Sequence, residues 1–335
     1  MKFPLAFLTT LLSLTSASPL LSRQTSPTNV AYLNAFFFGA EPKVYFDLSN
    51  GNNPLSFSPL NSGAPILTAT TGTAGARDPN LVLGGGPDAG NKWYILATDL
   101  DIGKTTWDAA QRKGSLGIFV WESTDLVNWG TERLVKVEAD TAGMVWAPEA
   151  IWDAAKGEYL VHWASKFYPE SDPEHSGPPS TTVIRYAYTK DFRTFSEPST
   201  YVDYSPTNVI DLNILPLGGD RYARFLKNET SPSVFYETTD GGLSGTWTRP
   251  GGEGSIVRAG VEGPTSYFDN EDPTKAYVLL DYYASDGYRP FVNTDLSTNN
   301  WVDADRSAFP SNRRHGSVIG IDQRAYDALR KAYGS

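Results

Sequence analysis

Apolar and polar residues alternate with a period of two along most of the chain, the pattern of strands in a sheet. Four segments carry the alternation into a turn built on Thr-Asp or Lys-Asp: residues 117–129, 182–195, 233–247 and 290–301. Each ends in an aromatic residue placed to pack back over its hairpin, and residues 43–57 form a looser fifth copy. An aromatic-rich strand precedes each of the four, over 91–98, 158–165, 221–227 and 276–282. Before each of those comes a short strand with an acid at its entrance: Asp78, Glu149, Asp211 or Glu262. The repeat of entrance, strand, strand and hairpin recurs every roughly 50–75 residues, a little longer than common propeller units.

Sheets of three or four antiparallel strands repeated about an axis make a β-propeller. A fifth unit is split. Residues 314–320 supply its entrance and first strand, and residues 31–38 and 43–57 supply the strands it lacks. The fold predicted is all-β: a five-bladed β-propeller closed by its N-terminal strands, which covers edges that would otherwise be exposed. A short helix over 322–333 packs on the outside, and residues 29–335 form a single domain with no internal linker. A sandwich or solenoid would leave the recurrent acids unexplained. In a propeller the innermost strands run the same way along the axis, so Asp78, Glu149, Asp211, Glu262 and His315 should ring one mouth of the central funnel. Pro79 fixes its own φ and biases Asp78 towards an extended conformation.

Residues 1–17 read as a secretory signal, with Arg23 marking an alternative end to trimming: Met1-Lys2, an apolar run and Thr15-Ser16-Ala17. That run is too short to cross a bilayer, which takes about 20 apolar residues. The expectation is a secreted, extracellular protein with no membrane partner. With no cysteine there is no disulfide framework, so stability must come from the core that about 310 residues can build. A net charge of −10 and no basic cluster argue against nucleic acid. Eighteen tyrosines and nine tryptophans suit both strand packing and stacking against sugars.

Carboxylates crowded into one cavity cannot all ionise freely, and repulsion raises the pKa of at least one. An ionised base and a protonated acid are what glycoside hydrolysis needs; inverting enzymes hold them roughly 6.5–9.5 Å apart, with water between.

At these positions the chain resembles glycoside hydrolase family 43, a five-bladed propeller family. The likeness is carried by Arg77-Asp78-Pro79, Trp146-Ala147-Pro148-Glu149, Ile210-Asp211, Glu262-Gly263-Pro264 and Arg314-His315-Gly316, in that order. The resemblance implies inversion, with Asp78 as general base, Glu262 as general acid and Asp211 tuning and orienting Glu262. It implies no required cofactor, and places His315 in the central channel, ordering water or a structural divalent ion. Two departures stand out. The second motif is often written with Asp where this chain has Glu149, which is assigned to substrate binding or support behind it. Asp211 is followed by Leu212 instead of proline. Residues 97–100, 107–112 and 121–126 are similar to exo-acting α-L-arabinofuranosidases. The expected partner is thus an arabinose-containing plant polysaccharide or oligosaccharide, losing terminal α-L-arabinofuranosyl residues. A β-xylosidase or endo-arabinanase remains open. A non-catalytic carbohydrate-binding propeller would lack one of Asp78, Asp211 and Glu262, and all three are present. An invertase-type fructosidase needs a Glu-Cys motif that a chain without cysteine cannot supply.

Further candidates are fewer. Trp146 precedes Glu149 and is placed to floor a sugar site, and Arg289 is placed to bond sugar hydroxyls or a carboxylate. His162 reads as packed and His175, in a Pro- and Ser-rich loop, as surface; three scattered histidines without cysteine do not make a catalytic zinc site. Gly84-Gly85-Gly86 is a hairpin turn, and Asn228-Glu229-Thr230 is an N-glycosylation sequon.

Overall fold

The computed structural model describes residues 29–334, so the leader expected over 1–17 lies outside the described residues. Within them the chain forms five four-stranded antiparallel sheets. From the axis outwards, blade I is Ala76–Leu83, Trp93–Asp99, Gly117–Ser123 and Arg133–Lys136. Blade II is Trp146–Asp153, Glu158–Ser165, Val183–Thr189 and Ser199–Val202. Blade III is Val209–Gly218, Arg221–Asn228, Ser233–Thr239 and Arg258–Ala259. Blade IV is Glu262–Phe268, Ala276–Tyr282, Gly287–Asn293 and Val302–Asp303. Blade V joins the late strand Arg314–Ile321 to Ala31–Phe38, Glu41–Ser49 and Phe57–Pro59. Consecutive first strands neighbour one another around the axis, and the strand of blade V closes the ring against that of blade I. This is the five-bladed propeller with the predicted closure. The fourth strands, two to four residues long, had no periodicity to betray them.

Both faces of each sheet are buried, so the second strands place apolar residues on both faces instead of alternating them strictly with polar ones. In Trp93–Asp99, Trp93, Ile95 and Ala97 pack towards blade V, while Tyr94 and Leu96 pack towards blade II. One such apolar cluster fills each of the five interfaces between blades. The helix Gln323–Tyr333 is capped by the Asp322 side chain, which accepts from the Ala325 amide at 2.8 Å. Its Ala325 and Leu329 extend the cluster between blades V and I.

The aspartate turns of blades I and II are structural. Asp125 Oδ1 accepts from the amides of Val127 and Asn128, and Asp191 Oδ1 from those of Arg193 and Thr194. Each lets a buried apolar residue adopt positive φ beside it, Leu126 at +63° and Phe192 at +53°. These turns lie at the end of the propeller away from the acids.

The mouth is walled unevenly. Loops between second and third strands run over 100–116 in blade I and 166–182 in blade II, but only 229–232, 283–286 and 39–40 in the others. Blade I's loop contains the short helix Trp107–Arg112, started by a Thr106 cap on the Ala109 amide. Arg112 ties the two long loops together, donating to the carbonyls of His175 and Gly177 at 2.9 Å each.

Candidate active site

Every first strand is bulged at the same point near its entrance. Pairing with the second strand breaks between Arg77 and Asn80, Trp146 and Glu149, Ile210 and Asn213, and Glu262 and Thr265. In blade V it breaks between Arg314 and Ser317. A bulge re-aims side chains that a regular strand would point into the sheets. In four blades the first bulged residue has positive φ: Asp78 at +50°, Ala147 at +47°, Asp211 at +52° and Gly263 at +54°. The extended conformation expected of Asp78 from Pro79 is therefore wrong, because the bulge overrides the local bias. Positive φ at a non-glycine residue costs about 1–3 kcal/mol, and Asp78, Ala147 and Asp211 all bear it here.

The acids share one mouth, as predicted, but not one register. Asp78 and Asp211 occupy the bulge position itself, with His315 at the equivalent place in blade V. Glu262 stands one residue earlier and Glu149 two residues later. This stagger separates them along the axis and gives each a different environment.

His315 sits at the centre. Its Nδ1 is 3.5 Å from Asp78 Oδ1 and 3.9 Å from Asp211 Oδ1, while Nε2 is 3.9 Å from Glu149 Oε1. Burial alone would disfavour the cation, but Asp211, Asp78 and Glu149 together hold its pKa well above the ordinary value. Asp78 responds in kind. Burial pushes it up, yet His315, Arg77 and a 2.8 Å hydrogen bond donated by Thr98 Oγ1 outweigh burial and hold it below its ordinary value. Thr98 also accepts from the Ala147 amide at 2.8 Å, fastening Asp78 to blade II.

Glu149 lies behind His315. Its Oε2 accepts from Asn213 Nδ2 at 2.9 Å, and burial raises its pKa despite His315 and Asn213. Asp211 is the most perturbed acid of the group facing the mouth. Burial, with Glu262 and Asp78 adding repulsion, pushes it up to about 7 against the pull of His315 and Lys227. Its Oδ2 accepts from the Gly263 amide at 3.0 Å, next to Glu262. Glu262 itself is held from two sides: Arg314 Nη2 is 3.1 Å from Oε1 and Lys227 Nζ is 2.8 Å from Oε2. Arg314 is anchored in turn by buried Asp281, 2.7 Å from its Nε. No hydrogen bond or ion pair joins Asp78 to Glu262 among the described residues.

Trp146 is half-buried at the rim, edge to face with Trp107 at 6.0 Å and 78°. Trp107 is 51% exposed. Arg77, beside Asp78, lies 4.5 Å from the Phe37 ring and 5.4 Å from the Trp107 ring. An exposed indole on a rigid helix above the acids is a surface for stacking a sugar face. Arg289 does not join the group: it bonds Asp286 at 2.9 Å and lies 4.0 Å over the Tyr282 ring. His162 is packed as expected, buried with its pKa pushed down to about 3 by burial. His175 is not on the surface; it is buried and stacked on Tyr168, where it stiffens the loop that Arg112 holds.

Sequence reasoning missed Thr98, Arg314 and Lys227 as polar partners of the acids. Thr98 and Lys227 lie on second strands opposite the bulges, facing Arg77 and Ile210 respectively, and that register was their only signal. Both ring nitrogens of His315 already face carboxylates, Asp78 and Asp211 beside Nδ1 and Glu149 beside Nε2, so neither is turned to open space for direct ligation of a divalent ion. No group of three or more His, Asp or Glu among the described residues is arranged to hold a metal.

An α-L-arabinofuranosidase of Bifidobacterium longum is 30% identical over 252 residues, covering 71% of this chain and 22% of that protein. The chain thus spans under a quarter of that relative's length. Among solved structures, the catalytic domain of a Coprinopsis cinerea GH62 α-L-arabinofuranosidase superposes with a TM-score of 0.48 at 12% identity, covering 87% of this chain and 80% of that one. An exo-β-1,3-galactanase from Clostridium thermocellum gives 0.48 at 13%, covering 70% and 50%. The sequence profile of a probable glycosyl hydrolase domain, related to glycosyl hydrolase family 43, matches residues 28–327. The chain belongs to that glycosyl hydrolase 43-related family.

Proposed function

We propose that the protein is a secreted, inverting glycoside hydrolase that removes terminal α-L-arabinofuranosyl residues from arabinan or arabino-oligosaccharides. The observation that carries this reading is the contrast between Asp78 and the Asp211–Glu262 pair at one mouth. Asp78 is held ionised by His315, as a general base for water must be. Asp211, pushed up to about 7, shares its surroundings with Glu262, the remaining carboxylate open to the funnel. Glu262 then serves as general acid, and Asp211 orients it through the Gly263 amide. Glu149 acts through His315, and Trp107 with Trp146 forms the platform for the sugar. The arabinose preference is supported by the Bifidobacterium relative, and secretion by the apolar leader.

The test is product analysis on linear arabinan, arabinoxylan and xylo-oligosaccharides, with proton NMR during early turnover. Free arabinose appearing first as the β anomer is the expected result. Xylose release without arabinose would reassign the substrate, and an initial α anomer would rule out inversion.

Gly263 gives a sharper test of the site's geometry. A Cβ there would stand 2.6 Å from His315 Cγ, on a residue already at φ +54°. Gly263→Ala should therefore displace the imidazole and lower kcat by about 10²-fold, the effect of a roughly 1 Å misplacement. Gly260→Ala is the control, since Gly260 has φ +71° and nothing within 4 Å of the added carbon. Equal kcat in the two variants, measured on an aryl arabinofuranoside, would show that the position of His315 is immaterial.

A further inference from the structure

We propose that Lys227 is a positioning residue for Glu262, and that Glu229 competes with Glu262 for it and so sets how firmly the acid is held. The inference rests on the reading of Glu262 as general acid. Lys227 is buried at the mouth end of the second strand of blade III. Its ammonium is 2.8 Å from Glu262 Oε2 and 2.5 Å from Glu229 Oε2, and lies 5.1 Å from the Tyr283 ring centroid. A buried ammonium must be paired, and here two carboxylates share it.

Both oxygens of Glu262 are occupied by cations in this arrangement. To protonate a leaving group, one oxygen must give up its cation and take a proton. Arg314 is the fixed partner, bolted to buried Asp281 and carried on the first strand of blade V. Lys227 is the shared one, in contact with Glu262 and Glu229 at once. Its second partner lies on the short mouth loop 229–232, and the Glu229 side chain is 47% exposed. Already in contact with Glu229, the ammonium stays paired when Oε2 lets go of it to take a proton. The other charges facing Glu262 are Asp211 from blade III and Asp281 from its own blade, with His315 beyond Asp211.

The experiment measures kcat/KM against pH for Lys227→Met, Lys227→Arg and Glu229→Gln, on an arabino-oligosaccharide and on an aryl arabinofuranoside with a good leaving group. An opposite charge within about 4–6 Å favours the ionised carboxylate. Removing Lys227 should thus move the basic limb for the oligosaccharide up by about one pH unit, in line with the lower end of such effects. Glu229→Gln leaves Lys227 wholly to Glu262 and should move the same limb down. Lys227→Arg should restore the wild-type limb. A purely structural lysine would lower activity on both substrates alike and leave the limb in place, which would overturn the proposal. Should Lys227→Met fail to fold, the downward shift in Glu229→Gln, on an exposed loop, decides the matter by itself. Glu262→Gln separates the two readings. If it keeps full activity on the oligosaccharide, the assignment of the acid falls and this inference with it. If it is inactive while the Lys227 and Glu229 variants keep the wild-type limb, only this inference falls.

Discussion

Asp78→Asn is expected to lower kcat by about 10³-fold on every substrate, whatever the leaving group, within the range of general base catalysis. Attack by water needs a base whether the departing group is a sugar alcohol or a nitrophenol, so no choice of substrate can rescue the variant. Asparagine is more informative than alanine because its amide oxygen can keep the bond from Thr98 Oγ1, now 2.8 Å from Asp78 Oδ2. Packing and the link to Ala147 are then preserved while the base is lost. The pH profile carries a second signature. The folded pKa of Asp78 is depressed, so the base stays ionised as pH falls, and the acidic limb of wild-type kcat/KM should lie below the ordinary carboxylate range. His315→Gln removes the nearest cation and should move that limb upward. Retention of kcat within tenfold in Asp78→Asn would place the base elsewhere, with Glu149 the next carboxylate to try.

The blades were legible in the sequence because their interfaces are apolar and their turns are chemical. Strand-length runs ending in Thr-Asp or Lys-Asp report a hydrogen-bonding device that recurs at the same place in blades I, II and IV, at Asp125, Asp191 and Asp295. The split fifth blade followed from counting entrances against strands. Convergence of the acids followed from the shared direction of the first strands.

Register was not legible. Nothing in the residue types Asp78, Ala147 and Asp211 announces positive φ, which arises because the bulge adds a residue and the sheet holds it there. The acids therefore looked equivalent from the sequence when Glu262 precedes the bulge and Glu149 follows it. The cations and hydroxyls that tune them were hidden for a related reason. Thr98, Lys227 and Arg314 reach the acids across blades or across a strand pair, and such a contact leaves no local pattern. His175 illustrates the converse error: a Pro- and Ser-rich composition suggested an exposed loop, but Arg112 and Tyr168 fold that loop onto blade I and bury the imidazole.

Glu262→Ala is expected to split by substrate where the Asp78 variant does not. On arabino-oligosaccharide the departing oxygen belongs to a sugar and needs a proton, so kcat should fall by about 10²–10⁴. On an aryl arabinofuranoside whose phenolate leaves unaided, the loss should be within about tenfold, since a general acid has little to contribute there. The variant removes a carboxylate from between two buried cations, and breaking such a contact can unfold a protein. Here each cation keeps another partner: Arg314 retains Asp281 at 2.7 Å and Lys227 retains Glu229 at 2.5 Å. The fold should accordingly survive, and thermal melting beside wild type checks that before kinetics are compared. With Glu262 gone, Asp211 also loses a source of repulsion and should ionise at a lower pH. The residual activity on the aryl substrate should then lose the wild-type basic limb, because no proton donor remains to be titrated. An equal loss on both substrates, with melting unchanged, would mean that Glu262 binds or shapes the sugar site instead of donating the proton, and the raised carboxyl of Asp211 would become the candidate donor.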